Sequence, residues 1–398
     1  MHSLFRRGKA PAADGAVPAP MPMPMLTFPG KKALPFAGDT SAAERDADLP
    51  SLMLARAHVV ALAASDSAAG KKQQASTTVT AGELRNYLRH IYASEMKGAS
   101  RHQLLRFAWR DAGWPPGAVS GSKKTSCSSS SSSSSSAAAG QGQGHTSLAT
   151  EHAVALFALA AELARAAAAE DRRGADGIRR ACRALADAAG ALSAATSKGR
   201  GAAEASGLCH MTDACLAAFE RLMLAQALEC YFELAVAGGK PPAVCAKIAR
   251  QVSLDYQQVS IALDSLHQQP IDKSWAPHAQ AKAAYFHAEA CLLRARALRD
   301  EGAGCVGEAI ARLRYATSAV LDGSVGKAAI KKSTAPVRDA AAWLRREVEA
   351  ELAAAEKDNC QVFFERVPAA DALPALSGLS EPLVRPTAVE KVVSDPDY

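Results

Sequence analysis

LMLAQALECYFELA, residues 222 to 235, sits inside a long helical pattern and sets the reading of the chain around it. The pattern runs from 212 to 237. One apolar stripe passes through Leu216, Phe219, Met223, Cys230 and Leu234, and a second through Leu224, Leu228 and Tyr231. Two apolar faces on one helix predict burial on both sides, or one face left for a partner. Pro241 and Pro242 follow and suit the first turn of a new helix, where a missing N–H costs nothing. That next helix carries Val244, Ile248 and Val252 on one line and Cys245, Ala249 and Tyr256 on another.

Outward from this pair the pattern repeats. Leu156, Phe157, Leu159 and Leu163 stripe one helix, and Ile178, Cys182 and Leu185 the next; further helices are expected over 276–299 and 305–320. Toward the N-terminus, helices are expected over 50–65 and 81–112. Helix pairs in series suggest a tetratricopeptide-like solenoid, although no strict 34-residue period can be read off. The chain is 48% hydrophobic with only 5% aromatic residues, so alanine fills much of the interior, which suits close-packed helices.

The remaining segments read differently. Residues 1–25 are proline-punctuated and expected to form an unstructured arm; their basic, acid-poor opening would also permit a transit peptide, but the proline spacing argues against it. Residues 120–145, with their serine run, have no apolar face and are expected to be a flexible insertion. EKDNCQVFFERVP, 356–368, is too apolar for a free tail and too short for an amphipathic helix, so it should leave a helix and dock back on the body.

Several function classes drop out. A net charge of +6 with no dense basic stripe argues against nucleic acid. Nine cysteines without a CxxC pair indicate reduced, intracellular thiols rather than a disulfide framework, and Cys209, His210 and Cys215 lack the fourth ligand of a structural zinc site. GQGQG at 140–144, GGK at 238–240 and GSVGKA at 323–328 fall short of a phosphate loop, and neither GxSxG nor HExxH occurs. No catalytic set, metal site or cofactor is therefore expected. No run of about 20 charge-free apolar residues is present: HAVALFALAAELARAAAAE carries His152, Glu162, Arg165 and Glu170.

Several stretches, in the same order, resemble the Bro-one domain family of the ALIX and BROX proteins. LRFAWRDAG at 105–113 resembles the family's aromatic-Trp-Asp segment; EHAVALFALAAELARAAA at 151–168, GIRRACRALADAAGAL at 177–192 and LMLAQALECYFELA at 222–235 resemble successive family helices. AKIARQV, KAAYFHAEA and GEAIARLRYA follow at 246, 282 and 307, and EKDNCQVFFERVPAADALPALSGLSEPLVRP resembles the closing strap. The resemblance covers about 26–388, leaving 389–398 as a tail, and places the layout nearest single-domain BROX, though SDPDY is no prenylation box.

The resemblance implies a mainly α, elongated, curved domain with a tetratricopeptide-like core and a small N-terminal β-sheet. It implies an adaptor, not an enzyme, that docks the C-terminal amphipathic helix of an ESCRT-III subunit, a charged multivesicular body protein of the Snf-seven class. The pocket positions fall on Tyr231, Val244 and Ile248, and Glu233 beside them is expected to alter the charge preference for the partner helix. Strap packing falls on Val362, Phe363, Phe364 and Val367. Localisation is expected to be cytoplasmic with recruitment to endosomes, membrane contact being weak or through a partner. The alternative is a diverged helical scaffold that serves a different protein.

Overall fold

The computed structural model describes residues 20–37, 40–44, 49–65, 73–97, 103–112, 144–198, 201, 203–267 and 269–394. Most of the serine-rich insertion and the first nineteen residues lie outside them. The described elements are β1 (Lys31–Ala33), α1 (Ser41–Glu44), α2 (Pro50–Ser65), α3 (Gln73–Met96), β2 (Trp109–Asp111), α4 (Leu148–Ala169), α5 (Ala175–Ser197), α6 (Asp213–Ala237), α7 (Pro242–Ser265), α8 (Trp275–Glu301), α9 (Val306–Tyr315), α10 (Ser324–Lys332), α11 (Ala335–Asp358) and α12 (Val389–Ser394).

From α2 to α9 each helix packs against its successor, the nearest-neighbour arrangement of a solenoid. Local chemistry marks the boundaries. The Ser147 hydroxyl accepts from Thr150 N at 3.2 Å to open α4, and the Thr212 hydroxyl from Cys215 N at 3.3 Å to open α6. Pro242 occupies the first turn of α7, as its lost N–H allows. Alanine lets the axes approach, and fully buried Phe157, Phe219, Trp275 and Phe286 fill the wider gaps. α4 is long and apolar enough to cross a bilayer, but 78% of its apolar window is buried among its neighbours, which makes it a core helix.

Two extended runs fasten this stack. The first comprises residues 23–31. Leu26 pairs with Gln226 of α6, Phe28 stacks on Phe219 (α6) at 4.8 Å and tilts against Phe157 (α4) at 5.2 Å, and Gly30 lies against Ala161 of α4. β1 then pairs antiparallel with β2, Lys31 opposite Asp111, and the two side chains form an ion pair. The second run follows α11 and crosses the alternate helices. The Glu365 carboxylate accepts from Gly304 N and Gly307 N at the start of α9, and Arg312 of α9 donates to Pro374 O at 3.0 Å. Gln251 of α7 accepts from Leu379 N, Thr387 N donates to Ala186 O of α5, and Arg85 of α3 donates to Val392 O at 2.8 Å. Its four prolines between 368 and 386 keep it extended. Two helix glycines make room. A Cβ on Gly190 would sit 2.0 Å from Thr387 O, and one on Gly307 2.5 Å from Arg366 O.

The mainly helical class, the small sheet and the docked strap match expectation, and five details do not. The helix expected over 81–112 ends at Met96; beyond it Leu105, Phe107, Ala108 and Trp109 are buried, Leu104 and Arg106 are exposed, and Trp109–Asp111 pair as a strand. The arm expected to stay free through residue 25 is docked from Met23, which is 2% exposed. The insertion ends before 145, since His145 exchanges two backbone hydrogen bonds with Phe107. The tail expected from 389 is α12, with Val392 1% exposed against the body. Of the strap anchors, Phe363 and Val367 pack on the core while Val362 and Phe364 are 65% and 74% exposed; Leu376, Leu379, Leu383 and Val384 do the packing instead.

Candidate functional site

α6 and α7 form a hairpin closed at Gly239, whose φ of 65° is open to glycine at no cost. Tyr231 stands as far from the end of α6 as Ile248 from the start of α7, which brings the two level, with Val244 one turn nearer the closure. Tyr231 is half-buried and rests on the core, and Val244 is 44% exposed. Ile248 is 2% exposed and belongs to the core. The expectation of three surface residues is therefore corrected for Ile248, which is sealed in the core where α7 packs between its neighbouring helices. Lys247, beside it in sequence, is exposed.

The orientation of Tyr231 is set from behind. Glu229 and Glu233 lie two residues to either side, about 200° round the helix, and both point inward. Glu229 accepts from Lys282 Nζ of α8 at 2.8 Å, from the Tyr256 hydroxyl of α7 and from Arg172 at 3.4 Å. Glu233 accepts from Arg172 at 2.8 Å, and Arg172 also donates to Met23 O. Burial works against the Glu229 charge, but Lys282 and Arg172 overcome it and hold its carboxyl below the usual range. Burial pushes Glu233 up to about 7, with Arg172 opposing. Glu233 thus faces the interior and lends no charge to the outer surface, contrary to expectation. Such a cluster stabilises only as a complete set, since removing one partner strands a buried charge. Three elements reach α6 through these carboxylates, the N-terminal run joining by way of Arg172, and they fix its rotation with Tyr231 outward.

A second buried cluster holds the N-terminal quarter. Arg56 (α2) donates to Glu151 (α4), to the Tyr87 hydroxyl at 3.1 Å and to Ala108 O at 2.7 Å, while Trp109 Nε1 donates to Glu151 at 2.8 Å. Neither cluster was read from sequence. The available signal was a carboxylate inside an apolar helix, as at Glu151, Glu229 and Glu233. Among the described residues no His, Cys, Asp or Glu group could hold a metal, and His210 sits apart at φ 61° with its Nε2 3.2 Å from Pro270 O.

The described chain is a helical solenoid with a small two-stranded sheet and a long closing strap. The BRO1-like domain profile matches residues 38–397, and the chain belongs to that family. It is 34% identical over 242 residues to the vacuolar-sorting protein BRO1 of Arabidopsis thaliana, covering 59% of this chain and 27% of that protein. It is 36% identical over 155 residues to the pH-response regulator protein RIM20 of Yarrowia lipolytica, covering 38% and 19%. The chain thus matches about a quarter or less of the length of these relatives. Among solved structures it superposes on the BRO1 domain of the ALIX BRO1 CHMP4C complex with a TM-score of 0.70 and 20% identity, covering 94% of this chain and 98% of that one.

Proposed function

We propose that this chain is an adaptor that docks the C-terminal amphipathic helix of an ESCRT-III subunit, a charged multivesicular body protein of the Snf-seven class, on the α6–α7 surface. The observation that carries the reading is half-buried Tyr231 beside exposed Val244, on a hairpin whose rotation is locked by buried charges. Helix-in-groove recognition needs apolar anchors of this kind on a rigid backing. The shared fold of a BRO1 domain solved with CHMP4C, and a vacuolar-sorting relative, support it. Its place would be the cytoplasm, with recruitment to endosomes through that partner, and its role binding rather than catalysis.

The buried state of Ile248 favours a second reading, a diverged scaffold serving another protein, because it leaves less apolar surface than three exposed residues would. Fluorescence anisotropy of a labelled ESCRT-III tail helix titrated with the purified chain separates the two. Saturable binding supports the adaptor reading, and a flat titration leaves the scaffold.

A further inference from the structure

The end of α11 makes a knuckle that neither packing nor backbone preference explains. After Asp358 the chain forms one wide turn and reverses at Phe364, whose φ is 55° and ψ 30°, a conformation suited to Gly or Asn. A bulky residue there is strained, yet its side chain gains no burial, being 74% exposed. Val362 beside it is 65% exposed. The backbone beneath is firmly held. Asn359 donates through Nδ2 to Glu365 O at 3.0 Å and accepts from Glu365 N at 2.8 Å, Phe364 N donates to Asn359 O at 2.7 Å, and the Glu365 carboxylate is fixed on Gly304 N and Gly307 N. Two apolar side chains are thus presented on a rigid tip. Strain kept without a structural return points to a role outside the fold.

The charges around the tip indicate what it meets. Glu356 is spent on Arg314, Asp358 on Arg299, and Glu365 on the start of α9. Lys357 and Arg366 are exposed, and among the described residues neither has a carboxylate in ion-pair range. The tip therefore offers an aromatic and an aliphatic group flanked by two free cations, on a chain of net charge +6. A convex apolar point fits a surface that yields to it, and the free cations fit an anionic one. We infer that this knuckle contacts an anionic lipid bilayer, Phe364 and Val362 entering the headgroup region while Lys357 and Arg366 lie on the phosphates. One such contact gives reversible, salt-sensitive attachment, and firm anchoring needs a second signal. The site is separate from the α6–α7 surface, so its success or failure is independent of tail-helix docking.

The test uses the full chain and sedimentation with vesicles of phosphatidylcholine, with and without about a third phosphatidylserine, at low and physiological salt. The parent should bind the anionic vesicles only, and release as salt rises. Phe364→Gly removes the anchor and suits the backbone, so its melting temperature should match or exceed the parent's while vesicle affinity falls about tenfold, the share of one buried aromatic. Lys357→Glu with Arg366→Glu should abolish binding. A parent that ignores anionic vesicles, or a Phe364→Gly protein that binds as the parent does, overturns the inference. So does a Phe364→Gly protein that melts well below the parent, since the side chain would then be structural.

Discussion

Gln226 hydrogen-bonds both backbone groups of Leu26, its Oε1 accepting from Leu26 N at 2.6 Å and its Nε2 donating to Leu26 O at 3.2 Å. The amide behaves as one residue of a strand partner, and it ties the N-terminal run to α6 across two hundred positions of chain. Gln226→Leu keeps the volume but strands a buried N–H and a buried C=O. The expected loss is about 3 kcal/mol, read by urea denaturation. A loss under about 0.5 kcal/mol would mean that the run is held by its other contacts, Phe28 and the Arg172 bond to Met23 O among them.

Lys282 is fully buried against Glu229 and Tyr256. Lys282→Met leaves Glu229 with Arg172 as its single cation and should cost about 3–5 kcal/mol. The Lys282→Met, Glu229→Gln pair should recover part of it, because the stranded charge is gone. A double variant no better than the single one would argue that the cluster acts through packing rather than charge.

Burial pushes the Glu289 carboxyl up to about 7, with Glu347 adding and Arg296 and the Tyr285 hydroxyl opposing. The folded chain therefore keeps this proton over a range where the unfolded chain has released it. The resulting stability is present at low pH and declines as pH rises toward and through 7. His210, His278 and His287, all lowered, act in the opposite sense, but they are common to parent and variant and cancel in the difference. From about pH 6 to pH 8 the parent should lose about 1 kcal/mol relative to Glu289→Gln. Parallel pH profiles would contradict the assignment.

α12 closes the strap on α3 and α5. Ending the chain after Ala388 removes buried Val392 and the acceptor of Arg85, so stability should fall by about 2–4 kcal/mol. Unchanged melting would place the end of the folded unit where the sequence alone suggested.

What could be read in the sequence follows from which contacts are local. α6 was legible because its two stripes record neighbours on both sides, and the α7 start because Pro242 marks a first turn. β2 was misread as helix because Leu104 to Trp109 is apolar at nearly every position, and only its strand pairing with residues far away chooses the period. The strap was legible as apolar sequence without helical period, but which side of each residue faces the body depends on the reversal at Phe364. Ile248 was misplaced for a similar reason. It shares a line with Val244, and only the packing of α7 against its neighbours separates the sealed position from the open one. The clusters around Glu229 and Glu151 join residues 53 and 95 positions apart, beyond any local pattern.

Val244 is the exposed apolar group on the α6–α7 hairpin that the docked helix would meet. Isothermal titration of an ESCRT-III tail helix into the parent and into Val244→Asp tests that contact most directly, with Ile248→Asp as the internal control. Val244 is 44% exposed, so its variant should melt near the parent, while the carboxylate set against an apolar anchor weakens binding roughly 30-fold or more. Ile248→Asp, 2% exposed, should instead lose several kcal/mol of stability. A folded Val244→Asp protein that binds the tail helix as tightly as the parent would contradict the account.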